Sequence, residues 1–375
     1  MRIGIDCRAL MEGKITGVQV YITNLLEALF EIDKENEYLL FVNAINPPSL
    51  PPIIRGGVGR GQVTYKIFHY PNKLFIPAQK FFGFPKVDKL LGGIDLFFSP
   101  HWRATALSPK IPLVATFHDL SFEVVPEFFT VRQRLWHAFM DYREAAARAA
   151  KIIAVSESTK KDLKEIYKIP ENKIEVIYPG VHSHPHLASR PPSPLGRGAG
   201  GEDYFLYFGT FEPRKNIESV IAAYEIYYQK SRVKRKLVLA GSSGWKTRIV
   251  LPEGLSHTIN IFQDVSEEQK SKLFADSFAF LFLSYYEGFG FPVLEAASHG
   301  VPVISSLATS LLEIGEDFAL FVNPFRPGQT AQAMLELERD PVYYEQLRQK
   351  GLEATKKFKW HETAQRTLEL FNNIK

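Results

Sequence analysis

The 375-residue sequence predicts an α/β protein made of two doubly wound halves that face a cleft between them. Short runs rich in β-branched and aromatic residues alternate with helical patterns along most of the chain, which is typical of parallel βαβ units. The alternation stops at a segment rich in proline and glycine and then begins again. With 45% apolar and 23% charged residues, the composition is that of a globular chain, long enough for two cores.

The first half contains short apolar strand candidates separated by helical patterns. The predicted strands are Arg2–Asp6, Tyr38–Val42, Val63–Phe68, Asp95–Ser99, Leu113–Phe117, Ile152–Val155 and Ile174–Ile177. A helix is predicted over Val20–Ile32 from the spacing of its apolar residues. A long helix is expected from about Thr130 to Ala149, and Ser156 is expected to cap the next one.

The second half repeats the same alternation. Its predicted strands are Tyr204–Phe208, Lys236–Ala240, Asn260–Phe262, Ala279–Leu283, Val301–Ile304 and Ala319–Val322. Its predicted helices include Asn216–Tyr228, Ser266–Ala275 and Phe291–His299. The domain boundary is expected at residues 184–203, HPHLASRPPSPLGRGAGGED, which have no apolar periodicity and are interpreted as a linker or insert. The first domain is therefore predicted over residues 1–183 and the second over residues 204–359.

Composition excludes several classes of protein. The single cysteine, Cys7, allows neither an internal disulfide nor a thiolate zinc site. The amino terminus lacks a secretion-signal pattern and no run of eighteen apolar residues occurs, so we expect a cytoplasmic location without a membrane span. The net charge of +4, from 45 basic and 41 acidic residues, is too small to predict nucleic-acid binding. It is compatible with an anionic substrate or with loose association with anionic lipid.

The first chemically informative segment is YFLYFGTFEPRKN, residues 204–216. An apolar strand is followed by Gly209 and Thr210, where a turn lets the backbone approach a ligand closely. Arg214 and Lys215 stand just before a predicted helix, where two cations suit a diphosphate. A solvated charge pair is the alternative, although cations at a helix amino terminus oppose its dipole and favour a nearby anion.

The second segment is SYYEGFGFPVLEAASHG, residues 284–300. The loop Glu287–Gly290 precedes a helix with Pro292 in its first turn. The loop amides and the helix amino terminus offer hydrogen-bond donors to hydroxyls and phosphate oxygens. Glu287 and Glu295 are natural acceptors for sugar or ribose hydroxyls. For Glu295 alone, an ordinary acid in the first helical turn is an equal alternative.

Together, in this order and about eighty residues apart, these segments resemble the retaining glycosyltransferases of family four, whose two-domain fold is called GT-B. The resemblance covers nearly the whole chain and is closest to the mannosyltransferases of bacterial surface polysaccharides. It implies Rossmann-like domains, a donor diphosphate gripped by Arg214 and Lys215, a transferred sugar at Glu287 and a ribose at Glu295. It also implies that the C-terminal helix, residues 360–375, crosses back onto the first domain.

The first half adds features that match the family. His118, in TFHDLSFE, ends a predicted strand, and the similar histidine of the family helps to position the transferred sugar. The segment Glu12–Val20 is interpreted as a loop that brings Gly17 to the donor phosphates. Val20 stands where relatives often have arginine, which leaves the diphosphate mainly to Arg214 and Lys215. Ile67–Val87, mixing aromatics with lysines, is interpreted as core packing or as a contact with a lipid-linked acceptor or membrane.

The catalytic candidates are His118, Arg214, Lys215 and Glu287. The donor-binding candidates are Gly17, Gly209, Thr210, Arg214, Lys215, Glu287, Gly288, Phe289, Gly290 and Glu295. No metal or cofactor is expected, because no DxD-like acidic pair ends a strand in the second half. The expected partners are a nucleotide sugar, with GDP-mannose favoured by the resemblance, and a glycan or lipid-linked acceptor.

Two other functions stay open on the sequence alone: a nucleotide-sugar epimerase of the same architecture and a non-catalytic nucleotide-sugar-binding protein. A dinucleotide-dependent dehydrogenase is disfavoured, because no GxGxxG pattern follows the first strand.

Overall fold

The computed structural model describes residues 1–11, 16–45, 63–182 and 203–374, and it divides the chain into two compact units. The first unit consists of Met1–Leu120, Val131–Gly180 and Lys359–Lys375. The second consists of Ser121–Thr130 and Val181–Phe358. Of the predicted linker, residues 184–203, only Asp203 lies within the described residues.

The first unit is built on a parallel sheet in the order β3-β2-β1-β4-β5-β6-β7. Its strands are β1 (Arg2–Asp6), β2 (Glu37–Asn43), β3 (Val63–Phe68), β4 (Leu96–Ser99), β5 (Leu113–Phe117), β6 (Lys151–Ala154) and β7 (Ile174–Val176). The strands β4 and β5 are buried at every residue, as expected for a parallel sheet covered on both faces. The strand order reverses between β1 and β4, which creates a crevice at their carboxyl ends.

The second unit repeats this plan with the order β10-β9-β8-β11-β12-β13, again all parallel. Its strands are β8 (Tyr204–Phe208), β9 (Lys236–Gly241), β10 (Ile259–Gln263), β11 (Ser277–Phe282), β12 (Val303–Ser306) and β13 (Ala319–Val322). Here the reversal lies between β8 and β11. The two doubly wound sheets confirm the predicted fold class.

Helices connect the strands in both units. In chain order they are α1 (Gly17–Ile32), α2 (Asn72–Pro77), α3 (Val87–Leu90), α4 (Ser121–Val124), α5 (Val131–Met140), α6 (Tyr142–Arg148), α7 (Glu157–Ile166), α8 (Ile217–Lys230), α9 (Glu267–Ala275), α10 (Phe291–Ser298), α11 (Ser310–Gly315), α12 (Pro327–Arg339), α13 (Pro341–Thr355) and α14 (Trp360–Asn372). As predicted, Ser156 caps α7, its hydroxyl accepting from the Thr159 amide at 3.0 Å.

The long helix predicted from Thr130 to Ala149 is wrong as a continuous element, because the chain breaks it at Asp141. That residue adopts a left-handed conformation (φ 50°) and its carboxylate accepts from the Glu144 amide at 3.0 Å, which starts α6. Lys80 pairs with the same carboxylate at 3.0 Å. The cap bond and the ion pair with lysine therefore stabilise Asp141 in a non-helical conformation, which breaks the helix at this residue.

The segment Ser121–Thr130 corrects the predicted domain limits, since it follows β5 in the chain yet belongs to the second unit. The Trp245 indole N–H donates to the Phe128 carbonyl at 2.8 Å, and the Lys246 ammonium donates to the Phe129 carbonyl at 2.7 Å. The Phe128 ring also stacks on Tyr285 at 5.4 Å. Because these contacts join residues that are far apart in the sequence, no local sequence pattern predicts them.

The C-terminal helix α14 packs within the first unit. Thr363 donates its hydroxyl proton to the Tyr178 carbonyl at 2.8 Å, and the rings of Phe371 and Phe98 lie 5.1 Å apart. The chain passes so close to Gly180 that a Cβ there would lie 2.2 Å from the Trp360 amide nitrogen.

Candidate functional site

The carboxyl end of β8 turns sharply against the end of β9. The Gly209 amide donates to the Ala240 carbonyl at 3.0 Å, and a Cβ placed on Gly241 would lie 1.9 Å from the Gly209 carbonyl oxygen. Gly209 itself has φ +157°. Thr210 follows, its hydroxyl 3.2 Å from that of Ser242. The glycine pair thus allows two backbones to meet where the sequence predicts a ligand-binding turn.

Arg214 and Lys215 lie on a 3₁₀ turn, Pro213–Lys215, that joins β8 to α8. The Arg214 guanidinium donates to the Glu212 carboxylate (2.7 Å), to the Tyr286 carbonyl (2.8 Å) and to the Glu287 carboxylate (3.2 Å). The Lys215 ammonium donates to the other Glu287 oxygen at 2.5 Å. The turn after β8 and the loop after β11 are therefore joined by charge-assisted bonds at the reversal point of the sheet.

This ion cluster contains two cations and two carboxylates, all at most 13% exposed at their side chains. Burial by itself raises the pKa of Glu287, but the nearby charges of Lys215 and Arg214 outweigh burial and lower the pKa below its ordinary value. The sequence predicts an anion beside these cations, and the carboxylates of Glu212 and Glu287 supply part of that negative charge. Glu212 was not predicted; its position two residues before Arg214 is the only sequence signal.

The loop Glu287–Gly290 is braced from the start of α11. The Glu287 amide donates to the Thr309 hydroxyl at 2.9 Å, and that hydroxyl donates to the Glu287 carbonyl at 2.8 Å. The Ser310 hydroxyl lies 3.0 Å from the carbonyls of Glu287 and Phe289. Thr309 has φ +46°, a strained value for a β-branched residue. The sequence did not predict this brace.

The end of the same loop is set by Gly290, the N-cap of α10. Its φ is +103°, and a Cβ there would lie 2.6 Å from the Leu311 side chain. Gly288 and Phe289 precede it, and the Phe289 ring is buried against Phe291 with ring centres 5.1 Å apart. A glycine is therefore required by both backbone conformation and space.

Glu295 projects from α10 and pairs with Lys270 of α9, a residue that the sequence analysis missed. The ammonium of Lys270 lies 5.5 Å from the centre of the Phe208 ring, which links the pair to the end of β8. Burial tends to lower the pKa of Lys270, but the charges and hydrogen bonds of Glu295 and Glu267 together outweigh burial and raise the pKa. One Glu295 oxygen is thus fixed by a cation, and among the described residues its other oxygen has no protein donor.

In the first unit, His118 stands at the carboxyl end of β5. Its Nε2 lies 2.8 Å from the Pro100 carbonyl, which can only accept, so Nε2 carries a proton. Burial lowers the pKa of His118 more than this hydrogen bond and Asp119 raise it. The ring is therefore neutral at pH 7, with Nδ1 as its acceptor nitrogen.

The predicted loop Glu12–Val20 is shorter than expected. Thr16 caps α1 through a capping box with Gln19, so Gly17 is the first residue of that helix and Val20 lies inside it. Residues 12–15 lie outside the described part of the chain. The second unit thus brings together the donor-binding candidates from Gly209 to Glu295, whereas Gly17 and His118 belong to the first unit.

Neither a cluster of metal-ligating side chains nor a membrane-spanning helix occurs in the described part of the chain. Within the described ranges, no group of three or more histidine, cysteine, aspartate or glutamate side chains is placed to hold a metal ion. Nor does any described helix combine the length and apolar character needed to cross a bilayer.

Two family models match the chain, one after the other. The model for Glycosyltransferase Family 4 matches residues 15–184, and the model for Glycosyl transferases group 1 matches residues 197–354. The second match contains the whole ion cluster and the loop Glu287–Gly290. The chain thus consists of a Glycosyltransferase Family 4 domain followed by a Glycosyl transferases group 1 domain.

Relatives and solved structures agree with this assignment. The O-antigen chain mannosyltransferase B of Escherichia coli is 29% identical over 283 residues, 73% of this chain and 72% of the relative. The serotype-specific mannosyltransferase WbdA of the same species is 29% identical over 60% of this chain, and that match spans 29% of the relative's length. Anabaena HepE, solved in complex with UDP-glucose, is 16% identical with a TM-score of 0.72 and complete coverage of both chains. The glycosyltransferase has the GT-B fold.

Proposed function

We propose that this glycosyltransferase transfers mannose from GDP-mannose, with retention of configuration, to a glycan or lipid-linked acceptor in cell-surface polysaccharide synthesis on the cytoplasmic side of the membrane. The observation that carries the proposal is the buried cluster of Arg214, Lys215 and Glu287 at the reversal point of the second sheet. Its cations and carboxylates provide partners for a diphosphate and for sugar hydroxyls at neighbouring positions. The named activities of the two Escherichia coli mannosyltransferases support mannose as the sugar.

Different side chains of the second unit would bind the diphosphate, the sugar and the ribose of the donor. Among the described residues, the Lys215 ammonium donates one of its three N–H groups to Glu287, so two N–H groups are available to a diphosphate. Glu287, anchored by both cations, would accept from hydroxyls of the transferred sugar. The oxygen of Glu295 that is not bonded to Lys270 would accept from the ribose. HepE, which binds UDP-glucose in the same fold, supports a nucleotide sugar as donor.

The reaction that fits this arrangement is a front-face displacement. The bond from the anomeric carbon to the diphosphate breaks, the acceptor oxygen bonds to that carbon from the same side, and the acceptor proton passes to the leaving phosphate oxygen. Negative charge grows on the leaving diphosphate, so donors fixed in advance at Lys215 and Arg214 stabilise the transition state. His118 would position the transferred sugar through its neutral Nδ1.

The first unit offers a surface suited to a membrane-associated acceptor. The predicted segment Ile67–Val87 is divided: Phe75, Ile76 and Val87 are buried, whereas Phe82 is 81% exposed. The exposed apolar residues of α2, the turn after it and α5 form what we call the aromatic surface. They are Leu74, Phe81, Phe82, Phe84, Val131, Leu135 and Trp136. Phe81, in the turn after α2, packs on Phe139 of α5 with ring centres 5.7 Å apart, which joins this turn to α5.

The charge around the aromatic surface is positive. Residues 70–87 and 131–140 contain five lysines and arginines and no acidic residue. Lys80 is paired with Asp141 and Glu144, and the Lys86 ammonium donates to the Leu107 carbonyl at 3.1 Å. The exposed cations Lys73, Arg132 and Arg134 are available to anionic headgroups. Apolar rings flanked by cations are the composition of a surface that binds the membrane interface. We therefore propose a peripheral contact with anionic lipid.

One experiment separates this function from its rivals. The protein is incubated with GDP-mannose, UDP-glucose or other nucleotide sugars, with octyl α-mannoside as an acceptor analogue, and the products are identified by mass spectrometry and NMR. Release of GDP with an α-linked product supports the proposal. A nucleotide sugar with an inverted centre indicates an epimerase, binding without turnover indicates a non-catalytic protein, and a β-linked product contradicts retention.

The same assay tests whether a divalent metal takes part. Fixed cations at Arg214 and Lys215 can stabilise the leaving diphosphate without a metal, so transfer should be unchanged in excess chelator. Loss of activity in chelator, with recovery on adding Mg²⁺ or Mn²⁺, would contradict the metal-independent mechanism.

A further inference from the structure

The His118 ring is contacted by several neighbours within the first unit. Its Nε2 donates to the Pro100 carbonyl at 2.8 Å, and the Tyr21 ring meets it edge to face, with ring centres 4.9 Å apart. The His101 ring lies 5.8 Å away, and burial lowers the pKa of His101 well below its ordinary value, so it carries no charge beside His118 at pH 7. One hydrogen bond still lets a ring turn about the axis of that bond. A second contact is needed to fix the ring plane, and Tyr21 supplies it.

Tyr21 is itself fixed on α1, where its side chain has no exposed surface. Its hydroxyl lies 3.4 Å from that of Thr116, which stands on β5 two residues before His118. Burial raises the pKa of Tyr21, so the phenol keeps its proton and stays uncharged. Tyr21 therefore contacts the strand that carries His118 through its hydroxyl and the His118 side chain through its ring.

The C-terminal helix α14 supports Tyr21 from a third element. Its first residue, Trp360, is 9% exposed, and the Trp360 and Tyr21 rings lie 6.0 Å apart at an angle of 61°. The Trp360 backbone packs so tightly on Gly180 that no Cβ fits between them. Three aromatic rings, those of Trp360, Tyr21 and His118, are therefore in successive contact from α14 through α1 to the end of β5.

We infer that Tyr21, supported by Trp360, is a positioning residue that orients the His118 ring toward the transferred sugar. The inference rests on the proposed function, because it needs His118 beside that sugar. The acceptor nitrogen Nδ1 receives a hydrogen bond in the plane of the ring, so a tilt of the ring moves the acceptor direction away from the sugar hydroxyl. A misplacement of about 1 Å can reduce the rate of a reaction by about 10²-fold. The C-terminal helix then supports catalysis as well as the packing of the first unit.

The test measures mannosyl transfer from GDP-mannose to octyl α-mannoside in Tyr21→Leu, Tyr21→Phe and Trp360→Leu. Loss of the Tyr21 ring should lower kcat by about tenfold or more and leave the affinity for GDP unchanged, because the proposed diphosphate site lies in the second unit. Tyr21→Phe keeps the ring and should recover most of that rate. The matched control is Phe30→Leu, which removes a buried ring from the same helix at a contact with Tyr38. It should lower the melting temperature without lowering kcat.

The His118→Ala background separates positioning from packing. Because Tyr21 acts through His118, Tyr21→Leu and Trp360→Leu should lower kcat in the wild type and have no further effect in His118→Ala. The inference is overturned if the losses multiply independently, or if both ring variants keep the wild-type kcat. Trp360→Leu keeps the test valid even if Tyr21→Leu does not fold.

A readout that needs no turnover separates this inference from the proposed function. Imidazole ¹⁵N NMR spectra, with the His118 signals assigned by their loss in His118→Ala, report the Nε2 proton that is bonded to Pro100. This proton should exchange slowly with water in the wild type and in Tyr21→Phe, and faster in Tyr21→Leu. Unchanged exchange in Tyr21→Leu would contradict the positioning contact. Faster exchange in a protein that transfers no mannose would support the contact and contradict the proposed function.

Discussion

Arg214, a predicted donor-binding residue, also stabilises the folded chain through its ion pairs. Lys215 contributes less to this stability. Arg214 is the cation bonded to the buried Glu212 and shares Glu287 with Lys215. Without Arg214, Glu212 loses that buried ion pair, whereas without Lys215 the carboxylate of Glu287 keeps Arg214. Breaking a buried pair by removing one partner costs about 3–5 kcal/mol.

We therefore expect Arg214→Ala to lower the free energy of unfolding by about 3–5 kcal/mol and Lys215→Ala to lower it by clearly less. Urea denaturation monitored by tryptophan fluorescence measures both values. Equal losses in the two variants would show that Glu212 does not depend on Arg214.

The Glu287 carboxylate predicts a specific dependence of stability on pH. The pKa is lowered in the folded state, so the unfolded chain takes up the proton first as the pH falls. The stabilising contribution is complete above the ordinary glutamate value of 4.5 and is lost as the pH falls through the lowered folded value. The wild type should therefore exceed Glu287→Gln in stability at pH 7, and the difference should shrink below pH 4.5. A difference that stays constant down to acid pH would exclude this linkage.

At the level of single residues, sequence patterns identified residues that the structure brings together, but they missed several of the partners of these residues. Arg214, Lys215 and Glu287 were predicted because each stands in a turn or loop that follows an apolar strand and precedes a helix. Lys270 and Thr309 were missed, because each acts through a contact with a distant residue and leaves no local pattern. The donor-binding roles themselves stay predictions.

Among secondary-structure elements, the strands were predicted to within a few residues because each is a short apolar run between turn residues. The helix from Thr130 to Ala149 was not, since its break at Asp141 depends on Lys80 from another element. The start of α1 was placed three residues late because the capping box at Thr16 was not recognised.

The contact between the ends of β8 and β9 gives a test at this scale. Gly241→Ala would force a Cβ to within 1.9 Å of the Gly209 carbonyl, so the turn that precedes Thr210 must move. We expect donor affinity to fall and the melting temperature to drop. Gly328→Ala is the control, because open space surrounds that position and alanine favours the helix α12. Unaltered donor affinity in Gly241→Ala would mean that this turn does not shape the site.

For the whole molecule, the repeated alternation of strands and helices was sufficient to predict two doubly wound sheets. It was not sufficient to place Ser121–Thr130, which continues from β5 but is held in the second unit by Trp245 and Lys246. Membership of a unit depends on packing over long sequence distances, and sequence periodicity carries no information about it.

The aromatic surface predicts binding to lipid vesicles. The wild-type chain should sediment with vesicles containing phosphatidylglycerol at low salt, and added salt should weaken binding because the cations contribute. Replacing Phe82 and Trp136 by serine should reduce the partition coefficient by about tenfold or more. Val342→Ser, also at an exposed apolar residue but in the second unit, is the control. Failure of the wild type to sediment with vesicles would contradict the proposed membrane contact. An equal loss of vesicle binding in the control would show that the aromatic surface is not the contact.

The claim that the second unit holds the donor diphosphate through Lys215 is tested most directly by titrating GDP and UDP into the protein in a calorimeter. Lys230→Ala, an exposed lysine on α8, is the matched control for Lys215→Ala. We expect the wild type and Lys230→Ala to bind one nucleoside diphosphate with equal affinity. Lys215→Ala should bind it at least about tenfold more weakly, as expected for a lost charge-assisted bond. Wild-type affinity in Lys215→Ala would contradict the assignment of the donor site.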